Sequence, residues 1–369
     1  MSSSRTATST GATATNFATL SLRSESPPRS RNKAPLKYGG SLDKYESFEV
    51  TPAIGREFKD LQLAELLDAP NSDELIRDLA ITVSRRGVCF FREQDLSPQQ
   101  MATLTARMGE LSGKPTDSTL HVHPLTEESS ELGDQIAVIS SEKQAKGGGL
   151  LHVHDDRSLF ATNAWHSDIT FEPIPSDYAM LKLHTLPESG GDTLWASMYE
   201  AYDKLSPAMA RWLETLTATH DANFFHDEAR RLGIKIRSGQ RGSPFNQGEN
   251  LQAVHPIIRT NPVTGWKGLF VNKAFTKRIN DVTKDESDFL LNYLHALCHN
   301  NFDAHVRFRW AKPGSLALWD NRSTQHSAIY DVGNQPRAGD RACSVGEAPY
   351  FDPSSSSRRE ALAAEGKKW

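Results

Sequence analysis

A histidine and an aspartate stand two residues apart in the run Trp165-His166-Ser167-Asp168-Ile169-Thr170-Phe171. In a β-strand successive side chains point to opposite faces, so His166 and Asp168 are expected on one face, about 7 Å apart along the backbone and within reach of one ion. Trp165, Ile169, Thr170 and Phe171 are aromatic or β-branched and favour such a strand. His326, which ends the run Trp319-Asp320-Asn321-Arg322-Ser323-Thr324-Gln325-His326, supplies a third ligand candidate. Two imidazoles and one carboxylate leave about three positions open on a metal, the facial arrangement of non-haem Fe(II) oxygenases. The same set suits a catalytic zinc with one water, which makes a zinc hydrolase the rival chemistry. A third alternative is an inactive sandwich that binds an anion. Two further pairs compete as ligands: Leu120-His121-Val122-His123-Pro124, and His152-Val153-His154-Asp155, whose histidines read as exposed loop residues.

An iron oxidant of this kind draws electrons from a chelating 2-oxo acid, and the far carboxylate of that acid needs a cationic clamp. Arg337 and Arg341 follow His326 by eleven and fifteen residues. The planar fork of arginine matches a carboxylate or a sulfonate with two parallel hydrogen bonds. If residues 331–335 turn the chain, strands at 323–329 and 340–346 pair antiparallel and Arg341 falls roughly opposite His326. Upstream, Gly190-Gly191 permits positive φ and close approach to a ligand, which places Thr193 to offer a hydroxyl. The bland readings are surface arginines and an ordinary tight turn.

The elements that must position these residues are expected as strands near 45–50, 88–91, 181–186, 254–259, 268–272, 305–310 and 315–319. Helices are expected over 72–85, from Ser97 with Gln100 completing a capping box, from near 208 to 216 behind Ser206-Pro207, and over 285–298. Residues 196–250 read as mainly helical. Strands outnumber helices and no βαβ alternation appears, so the expected fold is mainly β with helical additions, an antiparallel sandwich or jelly roll. Residues 1–40, rich in Ser, Thr, Ala and Pro with one acid, read as a disordered N-terminal tail, with a transit peptide as the sharper alternative. Residues 41–352 read as the folded domain with a central, mostly helical insertion, and 353–369 as a C-terminal tail. The polar stretch over 140–162 is long for a connection and reads as a lid or a mobile insertion.

With 369 residues, 37% hydrophobic, the chain can bury a sizeable core. A net charge of −4 with interspersed signs gives no basic field, which argues against nucleic acid or an anionic membrane as partner. No apolar run approaches the roughly 18 residues of a bilayer span. Three scattered cysteines, Cys89, Cys298 and Cys343, suit buried reduced thiols and a cytoplasmic protein, with mitochondrial import left open. Assembly into a homo-oligomer is also left open.

The Trp165–Phe171 heptapeptide, the run Pro187-Glu188-Ser189-Gly190-Gly191-Asp192-Thr193-Leu194-Trp195, and Trp319-Asp320-Asn321 through His326 with its two arginines resemble the Fe(II)/2-oxoglutarate-dependent taurine/sulfonate dioxygenase family. His255-Pro256, Phe270-Val271-Asn272 and Thr276-Lys277-Arg278-Ile279 are similar as well, and Gly40 to Tyr45 resembles the fungal sulfonate-using branch. The resemblance implies a double-stranded β-helix core with Fe(II) held by His166, Asp168 and His326. It implies that Arg337 and Thr193 bind 2-oxoglutarate, that His123 and Arg341 hold the substrate sulfonate, and that Phe275 is an aromatic wall of that pocket. It further implies that O₂ and 2-oxoglutarate hydroxylate the carbon next to a sulfonate, releasing sulfite, an aldehyde, succinate and CO₂. The taurine enzymes of the family have asparagine where this chain has Thr162 and tyrosine where it has Thr126, so another alkylsulfonate, an alkyl sulfate ester or another small anionic substrate stands beside taurine.

Overall fold

A strand that is apolar at every position, such as Val88-Cys89-Phe90-Phe91, must be covered on both faces. The computed structural model describes residues 34–126, 132–142 and 161–367 and covers this strand with a second sheet on one side and helices on the other. The strands in chain order are β1 (Ser47–Glu49), β2 (Arg56–Phe58), β3 (Val88–Phe91), β4 (Ile136–Ser140), β5 (Ser176–Thr185), β6 (Thr193–Ser197), β7 (Thr217–Asp221), β8 (Gln252–Pro256), β9 (Ile258–Thr260), β10 (Lys267–Leu269), β11 (Thr276–Ile279), β12 (His305–Phe308), β13 (Ser315–Asp320), β14 (Thr324–Ala328) and β15 (Ala338–Val345). The main sheet runs β1-β2-β3-β13-β5-β15-β4 and is antiparallel except where β2 meets β3. A three-stranded sheet, β12-β6-β14, packs against it, and β11-β7-β8 and β10-β9 complete the set.

Alternation along the strands sorts side chains between two layers. Val88, Phe90, Ala179, Leu181, Ala317 and Trp319 face the small sheet and meet Trp195, Val306 and Phe308 from it. Phe90 stacks on Phe308 with centroids 4.2 Å apart, and Trp195 meets Trp319 edge-on at 5.8 Å. The intervening Cys89, Phe91, Tyr178, Met180, Leu316 and Leu318 face outward onto helices Ser72–Arg86 and Pro98–Ser112. Those helices supply Leu75, Leu79, Val83, Met101, Leu104 and Met108, the stripe their periodicity predicts. Burying each such side chain contributes about 1.5–3 kcal/mol, so the two layers together hold the main sheet. Ser97 and Gln100 form the expected capping box, and Thr283 and Glu286 form another at the start of helix Lys284–His299, which backs the small sheet through Leu290, Leu294 and Cys298. All three cysteines are buried free thiols, each pushed up to about 12 by burial.

Several expectations need correction. The run 165–171 is not a strand: His166 makes one isolated bridge, and the chain turns at Asp168 with Ile169 at φ +50°. The strands around His326 and Arg341 do not pair with each other, because β14 pairs with β6 while β15 lies between β5 and β4 in the other sheet. Residues 196–250 contain β7 as well as short helices. The stretch from 353 is not a bare tail: helix Arg358–Ala364 folds back, and Arg358 Nη1 reaches Glu200 Oε1 at 2.7 Å with both side chains buried. Residues 34–40 are docked as well, with Leu36 N bonding Val263 O at 2.9 Å, while 1–33 lie outside the described residues. So do His152, His154 and most of the expected 140–162 lid. Among the described residues no helix is long and apolar enough to cross a membrane.

Candidate metal and cosubstrate site

The two histidines meet through their backbones. His166 N donates to His326 O at 3.1 Å and His326 N to His166 O at 2.8 Å, a bonded antiparallel pair that puts both side chains on one face with ring centroids 4.2 Å apart. The turn that follows brings Asp168 back to them. One ligand atom from each of His166, Asp168 and His326 lies within 4.8 Å of the others, and His166 Nε2 is 3.8 Å from Asp168 Oδ1.

The donor chemistry fits a divalent ion. His166 Nδ1 lies 2.7 Å from Ala164 O, a pure acceptor, so Nδ1 carries the proton and Nε2 keeps its lone pair. His326 Nδ1 is buried without a partner among the described residues. Burial lowers the pKa of both imidazoles, that of His326 to about 3, which keeps them neutral. Burial works to raise the Asp168 pKa, but the Arg341 guanidinium and the two histidines outweigh it and hold the carboxyl below its usual range. Asp168 is further fixed by Asn321: its backbone N donates to Asn321 Oδ1 at 3.0 Å, and Asn321 Nδ2 donates to Asp168 Oδ2 at 3.2 Å. Trp319 Nε1 and Ser176 Oγ fix Asn321 in turn, at 3.0 and 2.9 Å.

Arg337, just ahead of β15, meets Thr193 at the start of β6, two residues before the Trp195 that pairs with His326. Arg337 Nε donates to Gly191 O at 2.9 Å and Nη2 approaches Thr193 Oγ1 at 3.4 Å. Trp310 Nε1 donates to the same hydroxyl at 3.1 Å. Gly191, at φ +70°, is required here, since a Cβ would stand 2.8 Å from Arg337 Cδ. Asp331 Oδ1 accepts from Gly191 N at 2.7 Å and pins the turn.

Arg341, which bonds Asp168, also lines a narrow cleft with His121, His123, Thr126, Asp134 and Gln135. Arg341 Nη1 donates to Asp168 Oδ1 at 2.7 Å, while Arg341 Nε is buried without a partner among the described residues. His123 Nδ1 accepts from Leu125 N at 3.2 Å, so its proton sits on Nε2. Burial, then neighbouring His121, lowers the His123 pKa to about 3, so it is neutral and a donor at Nε2. Phe275 is buried with its ring 6.0 Å from that of His166 and 5.2 Å from Phe171. The structure thus groups His166, Asp168 and His326, joins Arg341 to Asp168, sets Phe275 beside His166, pairs Arg337 with Thr193, and places His123 on the cleft with Arg341, apart from the triad. Sequence reasoning gave no role to Asn321, Trp310 or Asp331, because nothing in local spacing marks a hydrogen bond across 153 residues.

Two neutral imidazoles and a carboxylate at the end of a two-sheet jelly roll, with an arginine and a threonine hydroxyl alongside, define a 2-oxo-acid-dependent metal oxygenase. The taurine catabolism dioxygenase TauD, TfdA family matches residues 46–343. An alpha-ketoglutarate-dependent dioxygenase, esdpJ, of Penicillium shearii is 41% identical over 368 residues, covering 90% of this chain and 98% of that protein. The alpha-ketoglutarate-dependent sulfonate dioxygenase of Saccharomyces cerevisiae is 32% identical, with 77% of this chain and 62% of that protein covered. The crystal structure of a taurine dioxygenase from Burkholderia xenovorans superposes with a TM-score of 0.64 at 26% identity, covering 84% of this chain and 92% of that one. The chain belongs to the TauD, TfdA family and is an Fe(II)- and 2-oxoglutarate-dependent dioxygenase. The zinc-hydrolase reading falls with that membership.

Proposed function

We propose that the substrate is a small organic sulfonate, hydroxylated on the carbon that bears sulfur. The observation that carries this reading is the orphaned Nε of Arg341, a buried cationic donor beside the metal carboxylate that no protein group satisfies among the described residues. Leaving such a donor unpaired costs about 1–3 kcal/mol or more, and an anion in the cleft removes that cost. His123 Nε2 adds a second donor on the same cleft. The name of the S. cerevisiae relative supports the choice of sulfonate.

Fe(II), once held by His166, Asp168 and His326, supplies with O₂ the oxidation in which 2-oxoglutarate becomes succinate and CO₂ and one oxygen atom enters a C–H bond of the substrate. Arg337 and Thr193 hold the far carboxylate of 2-oxoglutarate, and the Trp310 ring beside them keeps that end dry. Arg341 and His123 hold the sulfonate, which presents the adjacent carbon toward the metal. Phe275 closes the wall next to His166. The hydroxylated product loses its hydroxyl proton, the C–S bond breaks with its electron pair leaving on sulfite, and an aldehyde remains.

The test is a screen of alkylsulfonates and alkyl sulfates with the iron-loaded enzyme, 2-oxoglutarate and O₂, scoring sulfite, sulfate and succinate. Sulfite release matched by succinate is expected. Sulfate release alone would move the assignment to a sulfate ester, and neither product from any compound would overturn it.

A further inference from the structure

The cleft beside Asp168 contains a histidine that the proposed reaction does not use. His121 is backed by Glu172 and Arg241, and the three side chains are 2%, 1% and 1% exposed. Arg241 grips Glu172 in a fork, Nε to Oε1 at 2.6 Å and Nη2 to Oε2 at 3.0 Å. Its Nη1 donates to the carbonyls of Arg237 and Gly248 at 2.7 and 2.8 Å, so the guanidinium is locked and Glu172 with it. The His121 backbone is held as well, its N donating to Cys343 O at 2.8 Å. Against this fixed carboxylate, His121 Nε2 stands 3.6 Å from Glu172 Oε1, longer than a hydrogen bond, and is a buried polar atom without a partner among the described residues.

The tautomer follows from the neighbours. A carboxylate only accepts, so the ring nitrogen turned to Glu172 carries the proton and Nδ1 keeps its lone pair. Burial keeps the ring neutral although Glu172 pulls the other way. His123, in edge contact at 6.2 Å, has the reverse arrangement, with Nδ1 accepting from Leu125 N and Nε2 left to donate. The cleft, which Asp134 and Gln135 also line, thus holds two donors, Arg341 and His123, and in His121 a neutral imidazole whose lone pair faces away from Glu172, while the Asp134 carboxylate is engaged by Arg237 at 3.1 Å.

We propose that His121 is a specificity-determining residue that accepts a hydrogen bond from a hydroxyl or amino group carried by the substrate in addition to its anion. The inference rests on the anionic-substrate reading of the same cleft. A substrate without that group leaves the lone pair unsatisfied in a water-poor pocket, and a site built to take a polar group rejects the analogue that lacks it.

The experiment measures binding by calorimetry, without O₂, to the full chain loaded with Fe(II) and 2-oxoglutarate. The probes are propanesulfonate and its terminally hydroxylated counterpart, and the matching pair of carboxylates. The wild type is expected to favour the hydroxylated member of at least one pair by about three- to tenfold, the size of one hydrogen bond. His121→Phe is expected to erase that preference, read as the ratio of the two affinities within a pair, and His121→Asn, whose amide oxygen can replace Nδ1, to restore part of it. A preference confined to the carboxylate pair would sustain His121 and count against the sulfonate reading. A wild type that discriminates neither pair, or a preference that survives in His121→Phe, would overturn the inference.

Discussion

Arg341 donates to Asp168 Oδ1 at 2.7 Å, the carboxylate that completes the metal triad, whereas Arg337, four residues earlier, donates to Gly191 O at 2.9 Å and lies 3.4 Å from Thr193 Oγ1. The two guanidiniums thus have separate partners, a triad carboxylate for one and the Gly191–Thr193 turn for the other. Arg341→Ala is expected to weaken binding of the substrate anion by about 2–5 kcal/mol, which is roughly 30- to several-thousand-fold. Arg341→Lys should recover only part, since it offers no fork. Arg337→Ala is expected instead to raise the 2-oxoglutarate concentration needed for turnover. Titrations of succinate formation against each compound separate the two, and exchanged phenotypes would exchange the roles.

Asn321 links Asp168 to Trp319 and Ser176 without touching the metal position. Asn321→Ala removes the tether on Asp168 Oδ2, leaving Arg341 on Oδ1 as the remaining one, and leaves the Asp168 N–H without its acceptor. Loss of such an orienting partner costs about 10–100-fold in metal affinity. Competition with a chelator should show a drop of that size, whereas His166→Ala, Asp168→Ala and His326→Ala should lose tight Fe(II) binding altogether. An unchanged affinity in Asn321→Ala would make the residue a packing element only.

Stability should fall in mild acid. Burial lowers His123, His255, His295 and His326 to about 3 and His299 to about 4. The unfolded chain takes up these protons near pH 6.5. Each folded pKa is depressed, so its stabilising contribution is complete above about pH 6.5 and is lost as pH falls toward 3, by at most about 1.4 kcal/mol per unit and group. Urea unfolding at pH 7, 6 and 5 should show a progressive loss, and a flat profile would contradict the buried neutral state.

The N-terminal strap is held at Val263, through the Leu36 N–H, and at Asp78. The buried Asp78 carboxylate accepts from Gly39 N at 2.8 Å and from Ser41 N and Oγ at 2.9 and 2.8 Å. Truncation to residue 34 should leave the melting temperature unchanged, whereas truncation to residue 41 removes both the Leu36–Val263 and the Gly39–Asp78 bonds and should cost about 1.5–3 kcal/mol or more. Equal melting temperatures for the two truncations would show that the strap contributes nothing.

Sequence alone determined what depends on short range. The capping box at Ser97–Gln100, the apolar stripe of helix Ser72–Arg86 and the all-apolar β3 are set by residues a few positions apart, and each formed as its spacing predicts. The ligand types of His166, Asp168 and His326 were legible for the same reason, and the family resemblance divided Arg337 from Arg341. Tertiary structure decided which segments meet. β14 and β15 follow one another in the chain and would make a hairpin, yet β14 bonds to β6 and β15 to β5 and β4, so His326 and Arg341 face each other from two sheets. Strand partners are chosen by which apolar faces can be buried together, and that depends on segments more than a hundred residues away, such as Trp195 against Trp319. The positive φ of Ile169, the Asn321 bond to Asp168 and the Glu172–Arg241 lock behind His121 arise from the same long-range packing. No local pattern records them, because each is a contact between side chains that only the folded chain brings within reach.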